Sequence, residues 1–232
     1  MSTPQRPVYT SAQIAKYFDR LKLPEEQRNY SAGARVFNER LSGWLNRGHM
    51  IILVKIGGQK YHVDVGFGAN GPIMPMPLDR SGTIRSHITP ASVRLQWKDI
   101  PQNSDPDQRL WIYEHKINEE LDWEMMYCFT ELEFLPGDYR VMNLSTSTSP
   151  TTFFTKIVFM EKKLLGEDGE IIGNIILGTD AKWRIHGNKE REIKFESEED
   201  RVKAIEEHFG VKLGIVERDS FLGLVSQINS ER

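Results

Sequence analysis

From Tyr30 onward the chain alternates short apolar runs with Gly-rich or polar joints: "SAGARVF", "MIILVKI" and "KYHVDVGF" first, then "SVRLQW", "RLWIYEHKI" and "IVFMEKKLL". Runs of this length, rich in β-branched and aromatic residues and bounded by turn formers, predict strands. Helical patterning is confined to the two ends. Ser11 stands as a cap before Ile14, Tyr17, Phe18 and Leu21, which recur at i, i+3, i+4 and i+7 and predict a helix over 11–21 that Pro24 discourages from continuing. Ser197 with Asp200 resembles a capping box, Val202, Ile205 and Phe209 form one stripe, and Gly210 suits the C′ position, so a second helix is predicted over 198–209. Pro72, Pro75 and Pro77 each remove a backbone donor and make "GANGPIMPMPLDRSG" an extended loop. Hairpin turns are expected at "GEDGE" and "IHGNKE".

The hairpin over 49–67 is specific enough to assign a register. With Gly57 and Gly58 as a two-residue turn, Ile56 faces Gln59. One face then carries Met50, Ile52, Val54, Ile56, Tyr61, Val63, Val65 and Phe67, all apolar, and the other carries His49, Ile51, Leu53, Lys55, Lys60, His62 and Asp64. A three-residue turn would move Asp64 to the apolar face and separate it from His49. In the favoured register His49 and Asp64 are diagonal neighbours with Cβ atoms roughly 7 to 8 Å apart or less. A carboxylate so placed holds an imidazole in one tautomer and stabilises its protonated form, as a base beside a thiol or hydroxyl nucleophile requires. The plainer alternative is a pair of solvated or structural residues on a polar face. His62 shares that face and ranks just below His49 as the base.

Composition narrows the classes. The 232 residues are 39% hydrophobic and 27% charged, an ordinary globular balance. A net charge of -3, with no Lys/Arg cluster among aromatics, argues against nucleic-acid binding. Cys128 is the one cysteine, which rules out an intrachain disulfide and any multi-cysteine zinc site. The start "MSTPQRPVYTSAQ" has no apolar signal region, and no apolar run is long enough to span a bilayer, so a cytoplasmic protein without membrane contact is the expectation. Asn143-Leu144-Ser145 fits a glycosylation sequon with no such context.

Gly66, Gly68 and Gly71 spell G-x-G-x-x-G directly after a strand, the dinucleotide fingerprint. That fingerprint needs a helix whose N-terminal amides hold a pyrophosphate, and the prolines that follow at once exclude one. P-loop, H-E-x-x-H and EF-hand patterns do not occur.

With these residues in view, the chain resembles the arylamine N-acetyltransferase family. The resemblance is carried by "YSAGARV", "HM" before an apolar strand, "YHVDVGFG" and "PMPL", and continues through "YCFTELEFLPGDYRVMN", "STSTSPTTFF" and "EEDRVKAIEEHFGVKL"; the opening "SAQIAKYFDRLKLP" is similar to the family's first helix. The family is known for a Cys-His-Asp triad that takes an acyl group from acyl-coenzyme A (CoA) as a thioester and passes it to an aromatic amine, hydroxylamine or hydrazine. The resemblance implies that His49 is the base, Asp64 its orienting carboxylate and Phe67 a wall of the acceptor pocket. Gly48, Thr151 and Thr152 fall where CoA contacts are expected, with acetyl-CoA or another acyl-CoA as cosubstrate and no tightly bound cofactor.

The family's R-G-G-x-C-x-E nucleophile motif is missing. "LPEEQR" runs straight into "NYSAGARV", which implies an internal deletion near Arg28 to Tyr30. Cys128, flanked by Tyr127 and Phe129, has none of the surroundings that make a thiol reactive, and Ser31 and Ser42 lie in no nucleophile motif. The expected fold is α+β of the cysteine-proteinase-like superfamily: a remnant of a helical domain over 1–28, an antiparallel β-barrel-like domain over 29–135 and a small α/β lid over 136–232. Thioester-mediated transfer is expected to be abolished or very low. The alternative is a non-catalytic short isoform binding CoA, an aromatic ligand or a protein partner, with self-association through apolar surface that a missing domain would uncover.

Overall fold

In the computed structural model, residues 34–39, 48–100, 104–105, 107–150 and 152–228 are described, the first of these as backbone only. The expected helix over 11–21, the implied junction at Arg28 to Tyr30, Ser31, Ser42 and Thr151 lie outside them.

Eight strands form the first sheet: β1 (Ala34–Glu39), β2 (Gly48–Ile56), β3 (Gln59–Val63), β4 (Met76–Pro77), β5 (Arg85–Ser86), β6 (Ser92–Lys98), β7 (Leu110–Lys116) and β8 (Glu124–Phe129). Their order is β4-β3-β2-β1-β8-β7-β6-β5, antiparallel throughout. In a flat sheet β3 and β8, three steps apart, would lie about 14 Å from each other. Instead His62 Nε2 of β3 is 2.9 Å from Tyr127 Oη of β8, so the sheet curls strongly on itself. Ile51, Leu53, Met76, Val93, Leu95, Trp111, Tyr113 and Phe129 fill the resulting interior.

The hairpin forms in the expected register: Ile56 pairs with Gln59 and Leu53 with His62, and Gly57 and Gly58 take φ of 55° and 86°, the left-handed conformations of a two-residue turn. Which face turns inward is less simple than the pattern implies. Ile51, Leu53, His62 and Asp64, on the face carrying the charged groups, are buried, whereas Met50, Ile52 and Val65 of the all-apolar face are 49%, 37% and 86% exposed. Ile56 and Val63 on that apolar face are buried, so its exposure is confined to the end away from the turn. The polar residues go inside because the Tyr127 hydroxyl hydrogen-bonds with both His62 and Asp64, and Phe129 stacks on the His62 ring at 4.9 Å.

The longest described helix has no counterpart in the sequence pattern: α1, Pro136–Thr148. Its residues are largely exposed, Val141 and Leu144 included, so no apolar stripe marks it. The local signals are Pro136 in the first helical position and Asp138, whose carboxylate accepts the Leu135 amide at 2.7 Å. A short 3-10 turn, Phe153–Thr155, follows.

The second sheet is a meander, β9 (Met160–Leu165), β10 (Ile171–Leu177), β11 (Asp180–Ile185) and β12 (Asn188–Lys194), ordered β12-β11-β10-β9. Both expected turns are present, at Gly166 to Glu170 and at His186-Gly187. Ser197 caps α2, Glu198–Ala204, with both capping-box hydrogen bonds made. The chain then widens into a π turn over Ile205–Phe209 and stops at Gly210 with φ 73°. Val202, Ala204 and Ile205 pack with Leu177, Ala181, Phe195 and Phe221 into a second core. Arg201 is buried beside it, paired with Glu198 and donating to the Gly178 and Ser226 carbonyls. A last short helix, α3, spans Ile215–Asp219. No helix of the described residues is long and apolar enough to cross a membrane.

Candidate active site

The first contact of the candidate site is built by the hairpin itself. His49, second residue of β2, donates from Nε2 to Asp64 Oδ2 at 2.7 Å, just past the end of β3. The Asp64 side chain is 1% exposed and that of His49 19%. Oδ2 also accepts the Tyr127 hydroxyl at 2.7 Å, and Oδ1 accepts the Gly66 amide at 2.9 Å. Burial raises the pKa of the carboxyl, but these donors outweigh it and hold Asp64 below the usual carboxylate value. Asp64 is therefore an ionised, fully engaged acceptor at neutral pH.

That engagement defines His49. With Nε2–H committed to Asp64, Nδ1 is the nitrogen left to accept a proton, and it has no hydrogen-bond partner among the described residues. Phe67 meets the imidazole edge-on at 5.2 Å and Tyr127 lies 5.5 Å away, the two aromatic rings being 4.8 Å from each other. The ring is thus held by packing as well as by its carboxylate.

A cleft of about 200 Å³ opens beside the pair, lined by Asp64, Val65, Phe67, the 71–75 loop and, from β9, Glu161 and Lys163. The loop after β3 is shaped by Gly68, at φ 96°, and by the hydrogen bond from the Gly71 amide to its carbonyl; no helix begins there, which removes the basis for a dinucleotide site. Lys163 donates to the Gly68 and Ala69 carbonyls, each at 3.3 Å, and to Glu161 at 2.7 Å, while Glu161 also accepts from Asn174.

Other expected residues fall further from this centre. Gly48 opens β2 and pairs with Glu39 of β1. Thr152 is buried, and its hydroxyl is spent on the Thr146 and Ser149 carbonyls and on Thr155, which fastens the turn after α1. Cys128 is buried with Ile100 and Ile112, on the opposite side of β8 from Tyr127. Among the described residues no group of three His, Cys, Asp or Glu could hold a metal ion.

The pattern reading missed Tyr127, Glu161 and Lys163. Tyr127 sits in an apolar strand with nothing in its neighbourhood to distinguish it from core, and its partners are 63 and 65 residues away. Burial and the Asp64 charge push its phenol well above the ordinary value, so it stays a donor. His62 is wholly buried, and burial, against the pull of Asp64, lowers its pKa to about 4. A second cleft of about 470 Å³ lies between Asn70, His87 and His115 on the barrel and Asn174, Arg184 and His186 on the second sheet.

Comparison with known proteins places the fold. The N-acetyltransferase family model matches residues 28–218. N-malonyltransferase FDB2 of Gibberella moniliformis is 38% identical over 206 residues, 85% of this chain and 56% of its own length. The protein of the same name from Fusarium pseudograminearum is 39% identical over 181 residues, 74% of this chain and 52% of its own. The chain thus spans about half the length of these curated relatives. The arylamine N-acetyltransferase of Mycobacterium abscessus superposes with a TM-score of 0.67 at 17% identity, covering 82% of this chain and 64% of that one. That of Mycobacterium marinum in complex with CoA gives 0.66 at 20% identity, covering 85% and 69%. The fold is the cysteine-protease-like fold of those enzymes, and with the family match running through both sheets, the chain belongs to the arylamine N-acetyltransferase family.

Proposed function

We propose that this chain carries the acid–base half of an acyl-CoA-dependent amine acyltransferase and lacks the nucleophile that would complete it. The observation that carries the reading is the 2.7 Å contact between His49 and a buried, ionised Asp64 on the wall of a cleft that Phe67 also lines. In the family's reaction a cysteine thiolate takes the acyl group from CoA, releasing the CoA thiol, and an amine then takes it from the cysteine. His49 Nδ1 would receive the proton of the attacking thiol and, later, of the amine, while Asp64 stabilises the imidazolium. Phe67 would face the aromatic body of the acceptor, and Gly48, Thr151 and Thr152 would border the CoA chain.

No R-G-G-x-C sequence is present, and the single cysteine, Cys128, is packed away from His49. We therefore read the junction near Arg28 to Tyr30 as an internal deletion and expect binding without turnover. The names of the relatives make malonyl-CoA a donor to test beside acetyl-CoA. The test is calorimetric melting with each acyl-CoA, with CoA and with an aromatic amine, together with mass spectrometry of the protein and of the small molecules. A ligand-dependent rise in melting temperature with no acylated protein and no amide supports the proposal. Acyl transfer by the purified chain, or no ligand response at all, overturns it.

A further inference from the structure

Among the described residues the imidazole of His62 makes one hydrogen bond, and its place in the site follows from proton bookkeeping. Tyr127 Oη lies 2.7 Å from Asp64 Oδ2 and 2.9 Å from His62 Nε2. An ionised carboxylate only accepts, so the single phenolic proton goes to Asp64, and Tyr127 Oη must accept from His62. Nε2 of His62 therefore carries its hydrogen. The other tautomer would set two lone pairs facing each other and bury an N–H at Nδ1, which has no partner among the described residues. A buried acceptor without a partner is the lesser cost. The ring is fixed in this orientation by stacking on Phe129 at 4.9 Å and on Tyr113 at 5.9 Å.

We propose that His62 is a positioning residue: by donating Nε2–H to Tyr127 it holds the phenolic proton on Asp64, and so sets how the carboxylate is shared with His49. The inference rests on the reading of His49 and Asp64 as the acid–base pair. Two donors converge on Oδ2, one from His49 and one from Tyr127. A donor behind the phenol polarises its O–H and strengthens the Tyr127 bond, which leaves less of the carboxylate's charge to His49. Burial keeps His62 neutral at the pH where the pair would work, so the chain of hydrogen bonds runs in one direction. The groups facing Asp64 are His49 from β2, His62 from β3, Tyr113 from β7 and Tyr127 from β8, with Glu161 and Lys163 of β9 in the adjoining cleft.

Nitrogen-15 spectra of the histidine side chains at neutral pH test this without recourse to activity. In the wild-type chain His62 is expected as the Nε2–H tautomer, with a slowly exchanging Tyr127 hydroxyl proton. His62→Phe keeps the stacked ring and removes the donor: the Tyr127 hydroxyl resonance should move upfield and exchange faster, and the His49 Nε2–H resonance should move downfield as His49 becomes the main donor to Asp64. His62→Gln, whose amide can donate again, should return both toward their wild-type positions. A structural role alone would not separate the two variants. Nδ1-protonated His62 in the wild-type chain, a folded His62→Phe with both resonances unmoved, or identical spectra for the two variants each overturns the proposal. Should His62→Phe fail to fold, the wild-type tautomer still decides. These outcomes do not depend on acyl-CoA binding, so failure of the functional reading and failure of this one are told apart.

Discussion

Tyr127 and Cys128 are neighbours in β8 whose side chains leave the strand on opposite faces, Tyr127 toward Asp64 and Cys128 toward Ile100 and Ile112. The chain's one thiol is thereby turned to the face of β8 opposite the one that meets the His49–Asp64 pair. In the native protein Cys128 should react with a thiol reagent at least about tenfold more slowly than in denaturant, and incubation with acyl-CoA should leave its mass unchanged. Cys128→Ala should cost about 1 kcal/mol of stability and leave ligand binding as it was. An acyl adduct on Cys128 would contradict the geometry.

Stability should fall on mild acidification. Burial lowers the pKa of both His62 and His87 to about 4, from 6.5 for the free side chain. Between those values the unfolded chain binds more protons than the folded one, so the fold is fully stable above about pH 6.5 and loses up to about 3 kcal/mol per histidine by pH 4. Asp64 adds a loss at lower pH: its folded value is depressed, so its contribution is present above the ordinary carboxylate range and disappears as pH drops through the folded value. Urea melts at pH 7.0, 5.5 and 4.5 should show a steadily falling midpoint, and His62→Phe should flatten part of that slope. A pH-independent midpoint across this range would count against buried neutral histidines.

Gly173 is the residue of the second sheet least able to carry a side chain. A Cβ there would stand 1.9 Å from the Arg184 carbonyl oxygen, where β9 and β10 also slip register between Ile171 and Gly173. Gly173→Ala must push two backbones apart, and a loss of about 3 kcal/mol is expected, read as a lower thermal midpoint. Gly137→Ala, in the open first turn of α1, should be neutral or slightly stabilising in the same assay.

Met50, Ile52 and Val65 form an exposed apolar strip on the outer face of the hairpin. We expect the chain to self-associate through it, and Met50→Lys with Ile52→Glu to shift the population toward monomer in light scattering after gel filtration. A monomeric wild-type chain at high concentration would remove this expectation.

Much of the hairpin was legible because its information is local. Two adjacent glycines dictate the turn, the turn dictates register, and register brings His49 to Asp64. The capping box of α2 was legible for the same reason, its four residues containing both hydrogen bonds. The inward face of the hairpin was not, since it is chosen by Tyr127 and Phe129, more than sixty residues downstream, and in isolation His62 and Asp64 read as a solvated edge. Helix α1 escaped because its sequence offers no buried stripe and ends in Ser and Thr, residues indifferent to helix. The sequence places His62 on the turn side of Asp64 without a glycine-rich approach like Arg47-Gly48, whereas its hydrogen bond is to a phenol on another strand.

The two hydrogen bonds from Lys163 to the Gly68 and Ala69 carbonyls give the 66–71 loop two owners. Its sequence belongs to the barrel, but its far side is moored to a strand of the second sheet. One side of the cleft is therefore formed by residues of the second sheet, Glu161 and Lys163, and the loop that carries Phe67 is tied to them as well as to the barrel. Substitutions in the second sheet would therefore reach the loop beside His49 and Asp64 without changing either residue.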